Sequence, residues 1–378
     1  MSTAPLMETS GLMFAGGDIG FGTVKIDTGL GNESLTFYSQ STIATGTNRR
    51  FAKLGGEKFD TKLGDLKNQL LALDVEIYDH QTGTFRHFFM GKLAVAEGRD
   101  THYCWDENKS SDEDSMALLI AHLAVAQTYR AGGVDSKTAV YVGTGLPVKH
   151  FYEHMDSYEN NIKGMFSVVF KSGPWEGVSC RLNIVRCRVF PQVWGIYRNE
   201  TFDASGHTVN PQYLQSHVLV LDPGFRTTDF AVWKDGIMID SYCDTIDLGI
   251  AFALKQVKEK LVEQNLQLDE KELDFLYLER GGIYHYGSQN IDLKPLRDAA
   301  FKNLAKKISE EIKQTLQPVW DKLQVCLVGG GGGSALYEYL SIDKKQLVSQ
   351  PQFGNASGFR KAAEAVIRKS RSSNGQAL

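Results

Sequence analysis

The chain has 378 residues, 42% of them apolar and 23% charged, with 41 Lys and Arg against 45 Asp and Glu for a formal charge of −4. That balance is too weak for wholesale binding to a nucleic-acid backbone or an acidic membrane, and at about 150 residues per domain the length points to two or three domains that need no disulfide or metal staple. The cysteines are scattered without a C-x-x-C pair, no window approaches a spanning helix, and the N-terminus lacks a signal-peptide pattern, so a soluble cytoplasmic protein is expected.

Leu12 to Ala15 reads as a short buried strand entering glycines, and Thr23 to Asp27 as a half-exposed strand leaving them. The polar stretch Ser39 to Gly64 carries no assignable pattern. Phe85 to Met90 is expected as a strand. Ser111 to Tyr129 is expected as a helix, with Ser111 or Asp112 as its cap, acids in its first turn and Gly132-Gly133 as its stop. Thr138 to Val142 is a buried strand ending in Gly143-Thr144-Gly145-Leu146-Pro147. Met165 to Phe170 and Val178 to Phe190 read as a strand pair, the second with Arg181, Asn183, Arg186 and Arg188 on a partly exposed face. A new unit begins near Ser216. His217 to Leu221 is a buried strand, and Lys234-Asp235-Gly236 is a hairpin signal between Phe230–Trp233 and Ile237–Ile239. Helices are expected over Ile250 to Gln264, over Pro295 to about Leu323 with a break at Pro318, and over Phe359 to Lys369. Val325 to Val328 is one more buried strand, followed by five glycines, and Arg371 to Leu378 is expected to fray. The order of buried strand, glycine turn and returning strand occurs at 12–27 and again at 217–233, so two similar α/β halves with mixed sheets, facing one another, are expected.

The first turn, Gly16-Gly17-Asp18-Ile19-Gly20-Phe21-Gly22-Thr23-Val24-Lys25, has glycines that let backbone N–H groups face an anion, and a lysine suited to phosphate. Asp18 fits beside an anion when Mg²⁺ lies between them. A β-branched strand follows rather than a helix, which excludes a Rossmann turn, and no G-x-x-x-x-G-K-[ST] occurs. A plain hairpin explains this turn when it is taken alone. The second turn, Asp222-Pro223-Gly224-Phe225-Arg226-Thr227-Thr228-Asp229, repeats the grammar, and the repetition favours phosphate binding. Gly329 to Ser334 reads either as a linker or, because it follows a buried strand, as bare backbone for a nucleobase or ribose.

These three signals in this order resemble the ATPase superfamily of actin, the sugar kinases and the heat-shock chaperones. Asp222 to Asp229 is similar to its D-x-G-G-G-T-T-D second phosphate loop, with Phe225 and Arg226 in place of glycines. Gly17 to Lys25 is similar to its first loop, in which Asp18 and Lys25 match family positions and Phe21 replaces a phosphate-bonding Ser or Thr. Gly145-Leu146-Pro147-Val148 with Phe151-Tyr152, and Pro351 to Phe359, resemble the bacterial plasmid-segregation actins, the ParM/StbA group.

The resemblance implies an α/β, actin-like ATPase fold, two similar RNase H-like domains with a nucleotide cleft between them. One would comprise residues 1–190 and 345–378, the other residues 191–344. The implied cofactors are ATP, with GTP possible, and Mg²⁺. Asp18 and Asp222 would hold Mg²⁺ through water. Gly20, Gly22, Thr23, Lys25, Gly224, Thr227 and Thr228 would hold phosphates, and Gly330, Gly331 and Ser334 would lie at the adenosine. Gln192, after Phe190-Pro191, matches the family residue that orients the attacking water, and with Asp222 it is the implied catalytic pair. The implied function is Mg-ATP-driven assembly into homopolymer filaments that segregate plasmid DNA through a centromere-binding adaptor, without direct contact to nucleic acid or membrane. A small-molecule kinase of the same superfamily and a monomeric ATP-dependent scaffold are the rivals. His150 and His154 share a helical face without an evident third ligand, and Arg181, Arg186 and Arg188 are expected to guard a sheet edge.

Overall fold

The alternation of Thr23 to Asp27 sets the first hairpin. Strand β1 (Met7–Ile19) runs antiparallel to β2 (Thr23–Leu30), with Val24 and Ile26 buried on one face and Lys25 opposite Asp18 on the other. The structure is a computed structural model that describes residues 7–30, 33–49, 72–104, 113–266, 283–286 and 289–373. It divides into two units, Met1–Asn210 with Phe353–Leu378, and Pro211–Gln352.

The first unit continues with β3 (Glu33–Gln40), β4 (Thr42–Thr45), β5 (Ala72–Asp79), β6 (Phe85–Gly91), α1 (Lys92–Glu97), β7 (His102–Tyr103), α2 (Glu113–Arg130), β8 (Ser136–Leu146), α3 (Val148–Ile162), β9 (Gly164–Phe170), β10 (Ser179–Pro191) and α4 (Gln192–Thr201). The second comprises β11 (His217–Pro223), β12 (Thr228–Lys234), β13 (Ile237–Ile246), α5 (Ile250–Glu263), β14 (Ile283–Tyr286), β15 (Gln289–Asp292), α6 (Lys294–Thr315), β16 (Val325–Val328), α7 (Gly333–Leu336) and β17 (Lys345–Leu347). The chain then returns to the first unit as α8 (Gly354–Ser373).

The two sheets repeat one plan. In the first unit the order is β3-β2-β1-β8-β10, extended by β9, β5, β6, β4 and β7; in the second it is β13-β12-β11-β16-β17. In each, three antiparallel strands lead to two parallel additions. This is the mixed sheet expected for each half. The β12–β13 connection is a two-residue turn with Asp235 and Gly236 both at positive φ, 51° and 79°, as the mirror-image hairpin turn requires.

Helix α2 is apolar from Ala117 to Ala126 around nearly its whole circumference and is correspondingly buried in the first core. Its acids fill the first turn and Gly132 and Gly133, at positive φ, end it; the expected caps Ser111 and Asp112 lie outside the described residues. In the second unit, Ile250, Ala253, Leu254, Val257 and Leu261 line one face of α5, and Phe301, Leu304, Ile308 and Ile312 one face of α6. Helix α6 ends at Thr315, ahead of Pro318, which pushes the residue before it out of the helical region. Only a single 3-10 turn at Trp320–Lys322 follows, so the helix expected to resume to about Leu323 does not.

Three further expectations change. The last helix begins at Gly354 rather than Phe359, because Gly354 and Gly358 let it lie against α4: a Cβ on Gly358 would meet the Gly195 carbonyl at 1.9 Å. The stretch from Ser39 to Arg49, unassigned from sequence, supplies the end of β3 and β4. Strand β10 is not an edge: it lies between β8 and β9, so Arg181, Arg186 and Arg188 stand on the exposed face of an interior strand and guard no edge.

Candidate functional site

In the first unit the chemistry gathers where β1 gives way to β2. Asp18 and Lys25 are cross-strand partners, and such partners share a face of the sheet. Lys25 Nζ donates to Asp18 Oδ2 at 3.0 Å, and Gln192 Nε2, on the first residue of α4, donates to Asp18 Oδ1 at 3.1 Å. All three side chains are buried. Both carboxylate oxygens therefore have a donor, which a buried charge requires. The turn itself is Gly20-Phe21-Gly22, closed by Gly20 N–H donating to the Thr23 carbonyl at 3.0 Å. Gly16 and Gly17 belong to β1 and not to the turn; a Cβ on Gly16 would meet the Ala356 carbonyl at 1.7 Å, so this glycine admits α8 to the sheet. Thr144 Oγ1 donates to the Gly17 carbonyl at 2.7 Å and ties β8 to the same region.

In the second unit the corresponding position is Asp222, at the end of β11. Its cross-strand partner is not a lysine but Asp229. Both are buried, and like charges directly opposite one another repel. The Thr245 hydroxyl bonds Asp229 and satisfies one of its oxygens. Gly224 N–H donates to the Thr227 carbonyl at 2.7 Å, the same closure as in the first turn. The turn's own carbonyls are held from behind: Ile250 N–H and Ala251 N–H, at the start of α5, donate to Gly224 and Phe225 at 3.2 and 2.7 Å. The Thr228 hydroxyl is buried and donates to the Leu248 carbonyl at 2.7 Å, whereas Thr227 is partly exposed.

The glycine run after β16 is not a linker. Gly329 N–H and Gly332 N–H donate to the Leu221 and Pro223 carbonyls at 2.9 and 2.7 Å, which lays the run across the end of β11. Gly330 sits at φ 78°, and a Cβ there would meet Asp222 Oδ1 at 1.8 Å. Only glycine permits that approach. Gly331 and Ser334 are exposed, Ser334 in the first turn of α7.

The structure thus brings Asp18, Gly20, Gly22, Thr23, Lys25 and Gln192 together in one unit, and Asp222, Gly224, Thr227, Thr228, Gly330, Gly331 and Ser334 in the other. A Mg²⁺ ion keeps several waters and takes one or two carboxylates, and the buried Asp222–Asp229 pair beside a glycine cradle has the chemistry to suit it. Among the described residues no three His, Cys, Asp or Glu side chains could by themselves hold a metal, His150 and His154 included.

Sequence reasoning missed the polar layer beneath the first turn. Ser39, Gln40, Ser41 and Thr42 are each at most 3% exposed. The signal was there as four consecutive polar residues in a chain otherwise patterned for strands, but such a run ordinarily marks a loop. His122 lies in the same layer. Burial lowers its pKa from the ordinary 6.5 to about 4, so it is neutral at pH 7. Its Nδ1 donates to the Leu118 carbonyl at 2.6 Å, so Nε2 accepts from the Ser39 hydroxyl, also at 2.6 Å.

Comparison with known proteins gives two family matches. Residues 16–195 match the model for the N-terminal domain of actin-like proteins, and residues 220–341 match that for the C-terminal domain of the archaeal actin homologue, MreB-like. No curated protein sequence matches. Among solved structures, the actin-like protein Alp7A superposes with TM-score 0.75 at 16% identity, over 96% of this chain and 98% of that one. A 15-stranded ParM filament from Clostridium botulinum gives 0.74 at 20% identity, over 93% and 99%. Bacillus thuringiensis ParM with AMPPNP gives 0.66 at 17%, over 95% and 99%. At these identities the likeness establishes the fold.

Proposed function

The chain is a two-domain actin-like protein, and from that premise we propose that it binds and hydrolyses Mg-ATP and that nucleotide state governs its assembly into filaments. In this reading Gly20, Gly22, Thr23 and Lys25 take phosphate oxygens in the first loop, and Gly224, Thr227 and Thr228 in the second. Asp18 and Asp222 hold Mg²⁺ through its waters. Gly330, Gly331 and Ser334 contact the adenosine. Gln192 orients the attacking water once its amide leaves Asp18. The boundaries 1–190 with 345–378 and 191–344 belong to the same reading, as do cytoplasmic plasmid segregation and a centromere-binding adaptor. GTP in place of ATP is compatible with it.

The observation that carries the proposal is the repetition: a buried aspartate at the end of the first strand of each five-strand motif, beside a closed glycine turn. A hairpin needs neither the buried acid nor its recurrence. The solved ParM structures with AMPPNP and with ADP, and the ParM filament, support nucleotide binding and self-assembly as the reading to test. Asp222→Ala should weaken Mg-ADP binding about tenfold or more, the scale of losing a hydrogen bond to a charged group. Titration calorimetry with and without Mg²⁺ checks this. Wild-type affinity with unchanged metal dependence would remove Asp222 from the site.

A further inference from the structure

Ser41 stands between β3 and β4 and is fully buried, and its hydrogen bonds run to the first glycine turn. Its hydroxyl donates to the Gly20 carbonyl at 2.6 Å, and its N–H donates to the Gly22 carbonyl at 3.0 Å. A trans peptide holds each carbonyl and the following N–H in opposite directions. Fixing the Gly20 and Gly22 carbonyls on Ser41 therefore turns the N–H groups of Phe21 and Thr23 away from it. A glycine turn binds an anion only through N–H groups so aimed.

The other side of Ser41 is tied to the outer strands. Its carbonyl accepts from Cys104 N–H at 3.1 Å, immediately after β7, and β7 pairs with β4. One residue upstream, Gln40 is 3% exposed, and its amide has no hydrogen-bond partner among the described residues. Ser39, next in line, is held by His122 of α2. The segment is anchored to a helix on one side and to the turn on the other.

We propose that Ser41 is a positioning residue for nucleotide binding: it sets the aim of the first phosphate loop and links that loop to the β4–β7 strands. The proposal rests on the nucleotide-binding reading above. It assigns no contact between Ser41 and the ligand.

Thr42 provides a matched control. It too is fully buried, and its hydroxyl donates to a backbone carbonyl, Gly91, at 3.0 Å, with no side-chain hydrogen bond to the turn among the described residues. Ser41→Ala and Thr42→Ala each remove one buried hydroxyl-to-carbonyl bond, and Thr42→Ala a buried methyl besides, so a purely structural role costs Thr42→Ala at least as much stability. Calorimetry with Mg-ADP should show Ser41→Ala about three- to tenfold weaker than wild type, the worth of one hydrogen bond, with Thr42→Ala within about twofold. Unchanged affinity in Ser41→Ala, or equal losses in both, overturns the proposal. Hydrogen exchange on the wild-type protein needs no variant: the Ser41 and Cys104 amides should exchange more slowly with Mg-ADP than without, and unaltered exchange overturns it too. If Asp222→Ala loses affinity while Ser41→Ala does not, the positioning role alone fails. If the wild-type protein binds no nucleotide, the nucleotide reading fails and the role of Ser41 with it.

Discussion

Asp18 is a charge in a place that penalises charge, and its neighbours show what that placement demands. Lys25 neutralises it across the strand pair and Gln192 bonds its other oxygen. An amide is a poor base, so on the proposed reading the contribution of Gln192 to hydrolysis would be geometric: holding a water in line with the γ-phosphate. That contribution is felt in the transition state more than in the ground state. Gln192→Ala should therefore bind Mg-ATP within a few-fold of wild type and hydrolyse it about a hundredfold more slowly, the scale of a misplaced reactant. Single-turnover assays measure the rate apart from affinity, and an unaltered rate would take Gln192 out of the mechanism. The closeness of Asp18 and Lys25 was legible from their seven-residue spacing around a glycine turn, whereas Gln192 entered only through the family resemblance, since a polar residue after Phe190-Pro191 has no signal of its own. Ser41 and His122 were not legible. Their role comes from burial by β4, β7 and α2, elements distant in sequence, and no local pattern encodes that.

Helices α2 and α8 show how the framework holds the first turn. Helix α8 comes close to β1 and α4 where bare backbone admits it, at Gly16 and Gly358 among others. The atoms that a Cβ on Gly358 would meet are those of the Gly195 backbone, which cannot rotate away as a side chain can. Gly358→Ala should destabilise the protein by about 2–3 kcal/mol through overpacking, read as a lower urea midpoint at unchanged slope. A change under about 0.5 kcal/mol, the range of an ordinary surface substitution, would contradict the close packing. Helix α2 contributes a pH dependence. His122 binds a proton near pH 4 when folded and near 6.5 when unfolded, so between those values the unfolded chain holds more protons. Its contribution is fully present above pH 6.5 and is lost as the pH falls toward 4, on the order of 3 kcal/mol in all. Urea midpoints at pH 7 and 4.5 should therefore converge in His122→Gln relative to wild type. Equal pH dependence in both proteins would place the acid sensitivity elsewhere.

Among the elements, the strongly periodic ones were legible: β8, β12 and α5 follow their patterns. Strand β2 forms where its alternation places it but is buried on both faces rather than half exposed, with Lys25 and Asp27 at 6% and 1% exposure, and α6 stops at Thr315. The hairpin at Asp235-Gly236 was read from its turn chemistry. The position of β10 within its sheet was not. Alternating arginines report that one face is exposed, and an interior strand with one open face meets that condition as well as an edge strand does. Sheet order depends on pairing between distant segments, which composition and period do not specify.

At the scale of the whole chain, the recurrence of one five-strand plan in two units is the feature from which the functional reading grows. Each unit ends its first strand in an acid beside a closed glycine turn, and the pairs differ: Asp18 faces Lys25, and Asp222 faces Asp229. On the proposed reading Lys25 serves phosphate, while Asp18 in the first unit and Asp222 in the second serve the waters of Mg²⁺. ATP and ADP differ by the γ-phosphate alone, and a ligand shifts an assembly equilibrium only by its differential affinity for the competing states. A head-to-tail contact favoured by the triphosphate state, and not closing into a ring, extends as a filament. High-speed sedimentation of the pure protein with Mg²⁺ and either a slowly hydrolysed ATP analogue or ADP tests this most directly. The protein should pellet with the analogue and stay in the supernatant with ADP. Equal pelleting in both would contradict the nucleotide switch, and no pelleting across protein concentration, temperature and salt would contradict filament assembly itself and favour a kinase or a monomeric scaffold.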